Sequence, residues 1–573
     1  MKVLLIALAA LMPLWCTPAL AQASRPGQQP AREAPLPPRP GAEAPADTAS
    51  IAGRILTADT GRPVRRARVL VSGPQVPGGR GTLTDNEGRF ALSALPAGRY
   101  SLSAARTGFI TIAYGQRRPM QAGTPIELAA GEQMTTLDIR LPRGSVITGR
   151  VFDESGEPLP GATIRVLHYE YAQGNRQLVP VGGGQTDDLG TYRVWGLNPG
   201  QYFVSAAIPN AGLGTRIAMA NRAAGSESEA EQVGYAPTYY PGVPSIGEAR
   251  PVNVALSTET TSVDFSVLLV RTARVAGRVT NPEGSATTAG QITLVPESGP
   301  VGRGGSGMTF GSRIDWDGSF AMVNVPAGRY VLRARSDDSV EPQFALLPIT
   351  VAGGDILDLT VILAPAATIA GTVTFQGVQQ PDPGQFRIAA PLVESGPGGQ
   401  NQTARIDRDG RFTISGLQAG LHLLRAQGNA RGWVLKSATV DGRDATDTPF
   451  EVRSGQKLDG VHIVFGDRLT EVNGTVSDDR GVPLTDYTLL AFPVDDALWR
   501  PMSRYIVTAR PDQNGRFQLR GLPPGDYYVA PIDPVQQGEW YEPSFLDAHR
   551  PGAARVSLAE GDVKTQDFKV GTQ

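Results

Sequence analysis

Asp187-Asp188-Leu189-Gly190-Thr191-Tyr192-Arg193-Val194-Trp195-Gly196-Leu197-Asn198-Pro199-Gly200-Gln201-Tyr202 is the stretch whose reading decides the fold. An acidic turn ends on Gly190, an aromatic opens a short apolar strand, and a second turn at Gly200 delivers Tyr202. The pattern recurs at Asp85 to Gly88-Arg89-Phe90 with Gly98-Arg99-Tyr100, and at Asp315 to Gly318-Ser319-Phe320 with Gly328-Arg329-Tyr330. It is written again at Asp407 to Gly410-Arg411-Phe412 with Gly420-Leu421-His422, and at Asp512 to Gly515-Arg516-Phe517 with Gly525-Asp526-Tyr527. The two glycines stand 10 residues apart in every copy, so the chain repeats a unit of architecture. Gly88, Gly190, Gly318, Gly410 and Gly515 are expected to take the left-handed position of a turn capped by the preceding Asp. Tyr100, Tyr202, Tyr330 and Tyr527 are expected to clamp the following corner through the hydroxyl.

Each copy opens with a β-branched, alternating segment that holds a glycine: Ile51 to Ile55 around Gly53, Ile147 to Val151 around Gly149, Val275 to Val279 around Gly277, Ile369 to Val373 around Gly371, and Val472 to Val476 around Gly474. Period 2 makes these strands, and a glycine in mid-strand marks a bulge or a close approach by a neighbour. Closing strands such as Leu137 to Leu141 and Leu357 to Val361 end the units. About seven short strands per copy, with turns every 8 to 12 residues, predict an all-β protein of five tandem Ig-like antiparallel sandwiches. The expected divisions are 1–21 signal peptide, 22–49 Pro-rich linker, and sandwiches at 50–143, 144–271, 272–365, 366–468 and 469–573, the second with a long insertion. Closing strands run almost directly into the next opening strand, which predicts stiff joints and contacts mainly between neighbours.

Length and charge narrow the function. The 573 residues exceed what one core supports, and five units of about 100 residues match common domain size. With 53 basic and 55 acidic residues there is no field to attract phosphate backbones or anionic lipid, so nucleic acid is excluded as the expected partner. Lys2, the apolar run Val3 to Leu14 and Ala19-Leu20-Ala21 read as a secretory signal cleaved before Gln22, which places the mature chain in the periplasm or outside the cell. No later stretch approaches the roughly 20 apolar residues of a membrane span. Cys16, the only cysteine, leaves with the signal, so no disulfide is expected.

The turn and strand residues resemble the carboxypeptidase regulatory-like module, a transthyretin-like sandwich related to Cna B-type and starch-binding-like folds. Copy two carries the pattern best, in Gly149-Arg150-Val151, Gly156-Glu157-Pro158-Leu159-Pro160-Gly161-Ala162, Thr186 to Tyr192 and Leu197 to Tyr202. Copies three and four lose the Pro-Leu-x-Gly-Ala turn. The resemblance implies the sandwich fold and little about function, because the family appends this module to peptidases, outer-membrane receptors and surface proteins. Cna B-type relatives can form a Lys-to-Asn amide staple, but no opening strand here carries Lys, so none is expected.

Catalytic chemistry is not expected. His168, His422, His462 and His549 are scattered, and no His-x-x-Glu or His-Glu-x-x-His zinc pattern occurs. Asp315-x-Asp317 and Asp407-x-Asp409 begin like calcium loops but run straight into a strand, so they are read as turn caps. The reading is a non-enzymatic exported binding protein without metal or cofactor. Aromatic loops carry the ligand hypothesis: Tyr235, Tyr239 and Tyr240 in copy two, and Trp540, Tyr541 and Phe545 in copy five, as platforms for carbohydrate. The competing reading, that they fold back to cover the sandwich edge or the next module, follows from the usual burial of large aromatics. The alternatives are a spacer, adhesion or cell-envelope assembly protein, or a regulatory partner of an enzyme or outer-membrane receptor.

Overall fold

The computed structural model describes residues 48–571 apart from 117–118, 120, 173–174, 209–232, 298–309, 339–340, 379, 394–401 and 429–431. The expected signal and nearly all of the expected linker, most of the expected copy-two insertion and the Gly-rich 302–307 stretch therefore lie outside the described residues. In copy one, the alternation of Ala49–Thr57 gives it an inner apolar face, and it is flanked by Arg89–Leu95 antiparallel and Gln133–Leu141 parallel. A second sheet orders Val76–Leu83, Arg68–Gly73, Gly98–Ala105 and Ile112–Ala113, with Ile126–Leu128 also on Gly98–Ala105. One buried cluster from both sheets, including Ile51, Ile55, Val69, Leu95, Leu102 and Ile139, fills the space between them. That is a β-sandwich.

The same central pairing recurs along the chain. Each opening strand lies between the post-turn strand, antiparallel, and the closing strand, parallel, in all five copies. The mid-strand glycines have a common cause in this pairing. A Cβ placed on Gly53, Gly149, Gly277, Gly371 or Gly474 would lie 1.8, 2.1, 1.9, 2.1 or 1.9 Å from a backbone oxygen of the closing strand. Three of these strands also shift register just before the glycine, so the bulge and the close approach occur together.

Separate buried clusters follow along the chain, Ile147 to Val267, Ala273 to Leu363, Ala367 to Phe465 and Val472 to Leu558. The joints are tighter than short links require. Leu268–Thr280 is one continuous strand whose first residues pair with Val233–Ala236, while its later residues pair with Ser319–Pro326 and Ile356–Ile362. The expected division at 271/272 thus falls inside a strand shared by copies two and three. Copy five adds a short helix, Pro543–His549, after a 3-10 turn at Glu539–Tyr541. Pro543 starts it with a preset φ, and Leu546 is buried on a satellite cluster with Leu490, Phe492 and Trp499.

The expectation of contacts mainly between neighbours is corrected by copy five. Its backbone and side chains bond to copy one and copy two, hundreds of residues away, and the described chain from residue 48 onward forms one compact unit.

Candidate functional site

The repeated turns build the frame. Gly88, Gly190, Gly318, Gly410 and Gly515 have φ of 72, 68, 81, 76 and 74°. Asp85, Asp187, Asp407 and Asp512 each accept two backbone N–H groups through one carboxylate oxygen, at 2.7 to 3.0 Å. In copy three Asp317 takes this part, accepting the Ser319 N–H at 3.0 Å and its hydroxyl at 2.6 Å. These oxygens are engaged in the turns, and among the described residues no group of three or more His, Cys, Asp or Glu gathers where a metal would sit.

The corner tyrosines donate to the carbonyl four residues back: Tyr100 to Pro96, Tyr202 to Asn198, Tyr330 to Pro326 and Tyr527 to Pro523, at 2.6 to 2.9 Å. His422 reproduces the contact, its Nε2 lying 2.8 Å from the Gln418 carbonyl, and its Nδ1 lies 2.8 Å from the Ala390 carbonyl. The remaining histidines are likewise engaged, His168 with Gln201 O, His462 with Thr372 Oγ1 and His549 with Phe545 O.

The aromatic residues singled out in copies two and five pack rather than project. Tyr239 is 4% exposed, covered with Leu167 and Leu178, and burial pushes its hydroxyl pKa up to about 12. Tyr235 is buried with its hydroxyl donating to Glu154 Oε2 at 2.6 Å. Tyr240 is half-buried with its ring edge-on to Phe265. Trp540, Tyr541 and Phe545 are half-buried against the satellite cluster of copy five. The reading of Tyr235 and Tyr239 as exposed platforms is therefore corrected: Tyr235 joins the buried core of copy two, its strand pairing with Leu268–Thr280, and Tyr239 is covered with Leu167 and Leu178. Burial raises the Tyr541 hydroxyl pKa, while Trp540 and the Arg425 guanidinium of copy four pull it down.

Those packed loops lead to the seams. At the copy four and five seam, Arg504 makes a two-point pair with Asp447, Nε to Oδ1 at 2.9 Å and Nη2 to Oδ2 at 2.8 Å, with both side chains mostly buried. At the copy two and five seam, Gln536 Nε2 donates to Tyr169 O at 3.3 Å, and Gly538, with φ 94°, passes so close to Tyr171 that an added Cβ would lie 2.6 Å from the Tyr171 Cβ. At the copy one and five seam, Gln513 Nε2 donates to Glu127 O at 2.8 Å and its Oε1 accepts the Glu127 N–H at 3.0 Å, as a strand neighbour would. Arg99 Nη2 donates to Arg510 O at 2.6 Å beside it, and Gln121 Nε2 donates to Pro534 O at 3.2 Å.

A cleft of about 490 Å³ lies on this last seam, lined by Ile112 to Gln116, Thr124 and Asp138 to Arg140 of copy one and by Thr485, Asp486 and Gln513 of copy five. That volume is in the usual range for small-ligand sites, which favour domain interfaces. The walls of this cleft come from segments more than 340 residues apart, Asp138 to Arg140 on the closing strand of copy one and Gln513 inside the Asp512-to-Gly515 turn of copy five, so no spacing in the sequence brings them together.

Residues 50–142 and 146–227 match the family model of the carboxypeptidase regulatory-like domain. No curated protein matches the chain. Among solved structures, the Bacillus anthracis TIE protein is similar over 74% of this chain and 74% of its own, at 11% identity and a TM-score of 0.15. A streptococcal ancillary pilin is similar over 52% of this chain and 99% of its own, at 12% identity and 0.18, and the Lactobacillus rhamnosus GG shaft pilin SpaA over 39% and 96%, at 11% and 0.18. These scores are too low for the arrangement of this chain to be read from theirs.

Proposed function

We propose that the chain is a non-catalytic exported scaffold of the cell envelope, in which five sandwiches close into one body and the seams between copies are the working surfaces. The observation that carries the reading is the return of copy five onto copies one and two through Arg99, Gln121, Gln513 and Gln536. A spacer gains reach from tandem copies, and a return of the last onto the first gives that reach away. A body that presents fixed surfaces gains from it, because preorganised seams lose less freedom on binding. The engagement of all four histidines in structural hydrogen bonds supports a non-catalytic reading.

Gly538→Val tests the arrangement without touching a core. The added side chain meets the Tyr171 Cβ and disfavours the left-handed backbone, so the copy two and five seam opens. Small-angle scattering should show a compact wild type and a larger radius of gyration for Gly538→Val, with melting of the individual copies unchanged. A wild type that already scatters as an extended string would overturn the reading.

A further inference from the structure

We propose that copy three is a sandwich short of one strand, and that its open edge takes an extended, alternating apolar strand of a partner polypeptide, antiparallel to Ile356–Ile362. The site does not depend on the return of copy five, so it goes beyond the closed arrangement proposed above. Among the described residues, Ile356–Ile362 pairs on one side only, with Leu268–Thr280. The Leu363 N–H donates to Thr280 O at 2.8 Å, so by the alternation of a strand the Thr360 and Ile362 N–H groups point to the unpaired side.

Copy four shows what fills this place. Its closing strand, Lys457–Gly466, pairs with Ala367–Gln376 and, on the opposite edge, with Val434–Val440 antiparallel. Leu435, Ala438 and Val440 of the added strand are buried in the copy four core. That strand comes from residues 429–449, whereas in copy three only residues 337–342 separate Gly328–Ser336 from Gln343–Val351, too short a link to supply one. One register position tells the copies apart. The partner of Leu56, Phe152, Thr280, Thr374 and Ser477 on the closing strands is Arg140, Ser266, Ile362, Val464 and Lys569 in turn. Charge at an edge is a common means of keeping it unpaired, which suits Arg140 and Lys569. Val464 is apolar, and the added strand covers it to 9% exposure; Ile362 is apolar too, yet 60% exposed.

A groove of about 470 Å³ opens beside Ile362, between Thr360 to Ile362 and Phe344 to Leu347 of the facing sheet, with Leu346 50% exposed. Leu347, Ile349, Ile356 and Leu359 are only half-buried against the copy three core, so its cover is incomplete on this side. A lone strand fits here better than the same edge of a second copy. Val361, 1% exposed, already fills its own core and cannot enter another, whereas Leu435, Ala438 and Val440 reach the copy four core from a segment with no core of its own. Main-chain bonds would hold such a strand, and alternate apolar side chains would select it.

The test uses the full chain and a dye-labelled synthetic peptide of the copy four filling strand, residues 432–442. Binding is read by fluorescence anisotropy and its place by hydrogen exchange. Exchange at 356–363 should slow with peptide while 461–466 stays unchanged, which separates addition to copy three from displacement of the native strand of copy four. Thr360→Pro removes an outward N–H at an edge that tolerates proline, and should weaken binding about tenfold or more with the melting temperature unchanged. Leu346→Lys, on the groove wall, should weaken it likewise. No binding up to roughly 1 mM peptide, or binding that both variants keep, overturns the assignment. Protection of 356–363 that grows with protein concentration in the absence of peptide gives the edge to a second copy and overturns it as well. Each of these results leaves closure between copies one and five, read by scattering, untouched.

Discussion

Replacing Gly149 by Ala should unfold copy two well before the rest of the chain. The new Cβ would lie 2.1 Å from the Val263 oxygen, 2.6 Å from its carbon and 2.9 Å from the Tyr192 hydroxyl. Because the obstacle is backbone, no side-chain rotation relieves it, and the carbonyl must retreat by about an ångström or more to reach ordinary contact. That carbonyl accepts the Tyr192 hydroxyl at 2.7 Å, and the Val263 N–H donates to Thr148 O at 3.2 Å. Losing two bonds at about 1 kcal/mol each and leaving the hydroxyl of Tyr192, 2% exposed, unsatisfied at a further 1–3 kcal/mol gives about 3–5 kcal/mol. For a unit of this size that is roughly 10–20 °C of melting temperature. Gly184→Ala is the internal control, since nothing lies within 4 Å of its added Cβ and its φ is not positive; it should change stability by less than about 0.5 kcal/mol. Calorimetry with hydrogen exchange over residues 145–152 reads both. Equal stability of the two variants would refute the argument that the closing strand demands glycine.

Burial raises the hydroxyls of Tyr202, Tyr239 and Tyr330 to about 12, against about 10 in an unfolded chain. Their contribution to stability is full below pH 10 and is lost as pH rises through 12, so phenolate absorbance should appear together with loss of structure; titration near pH 10 in a folded protein would contradict this. Asp447→Ala strands the Arg504 guanidinium in the copy four and five seam and should cost about 3–5 kcal/mol by urea unfolding, whereas Asp447→Leu with Arg504→Met should lie closer to wild type. His422→Ala removes ring contacts to Gln418 O and Ala390 O and should destabilise copy four by about 2–4 kcal/mol, while His422→Tyr, which can restore the bond to Gln418 O, should lose less. Equal losses in the two His422 variants would show that the corner contact carries no weight.

The sandwich was legible because its determinants are local and repeated. Gly53 and its counterparts mark a backbone contact made inside one copy, and the Asp-to-Gly turn closes within four residues, so periodicity exposes both. His422 shows the limit of reading by residue type, for a different ring keeps the same carbonyl partner at the same offset. The aromatic loops misled because burial depends on what covers them: Tyr239 lies beside Leu167 and Leu178 through the fold of its sheet, which no spacing announces. Closure was invisible for a related reason. Gln513 pairs with the backbone of Glu127, and a backbone group leaves no signature in the identity of the residue that bears it.

Electron-electron dipolar spectroscopy on a chain beginning at Gln22 and labelled at Gln133→Cys and Asn514→Cys tests the closed body most directly, since Cys16 is the single native cysteine and that chain omits it. A single narrow, short distance between copies one and five is predicted. A broad distribution at long distance would show that the five copies stand apart as a string, and the account of the seams would fall.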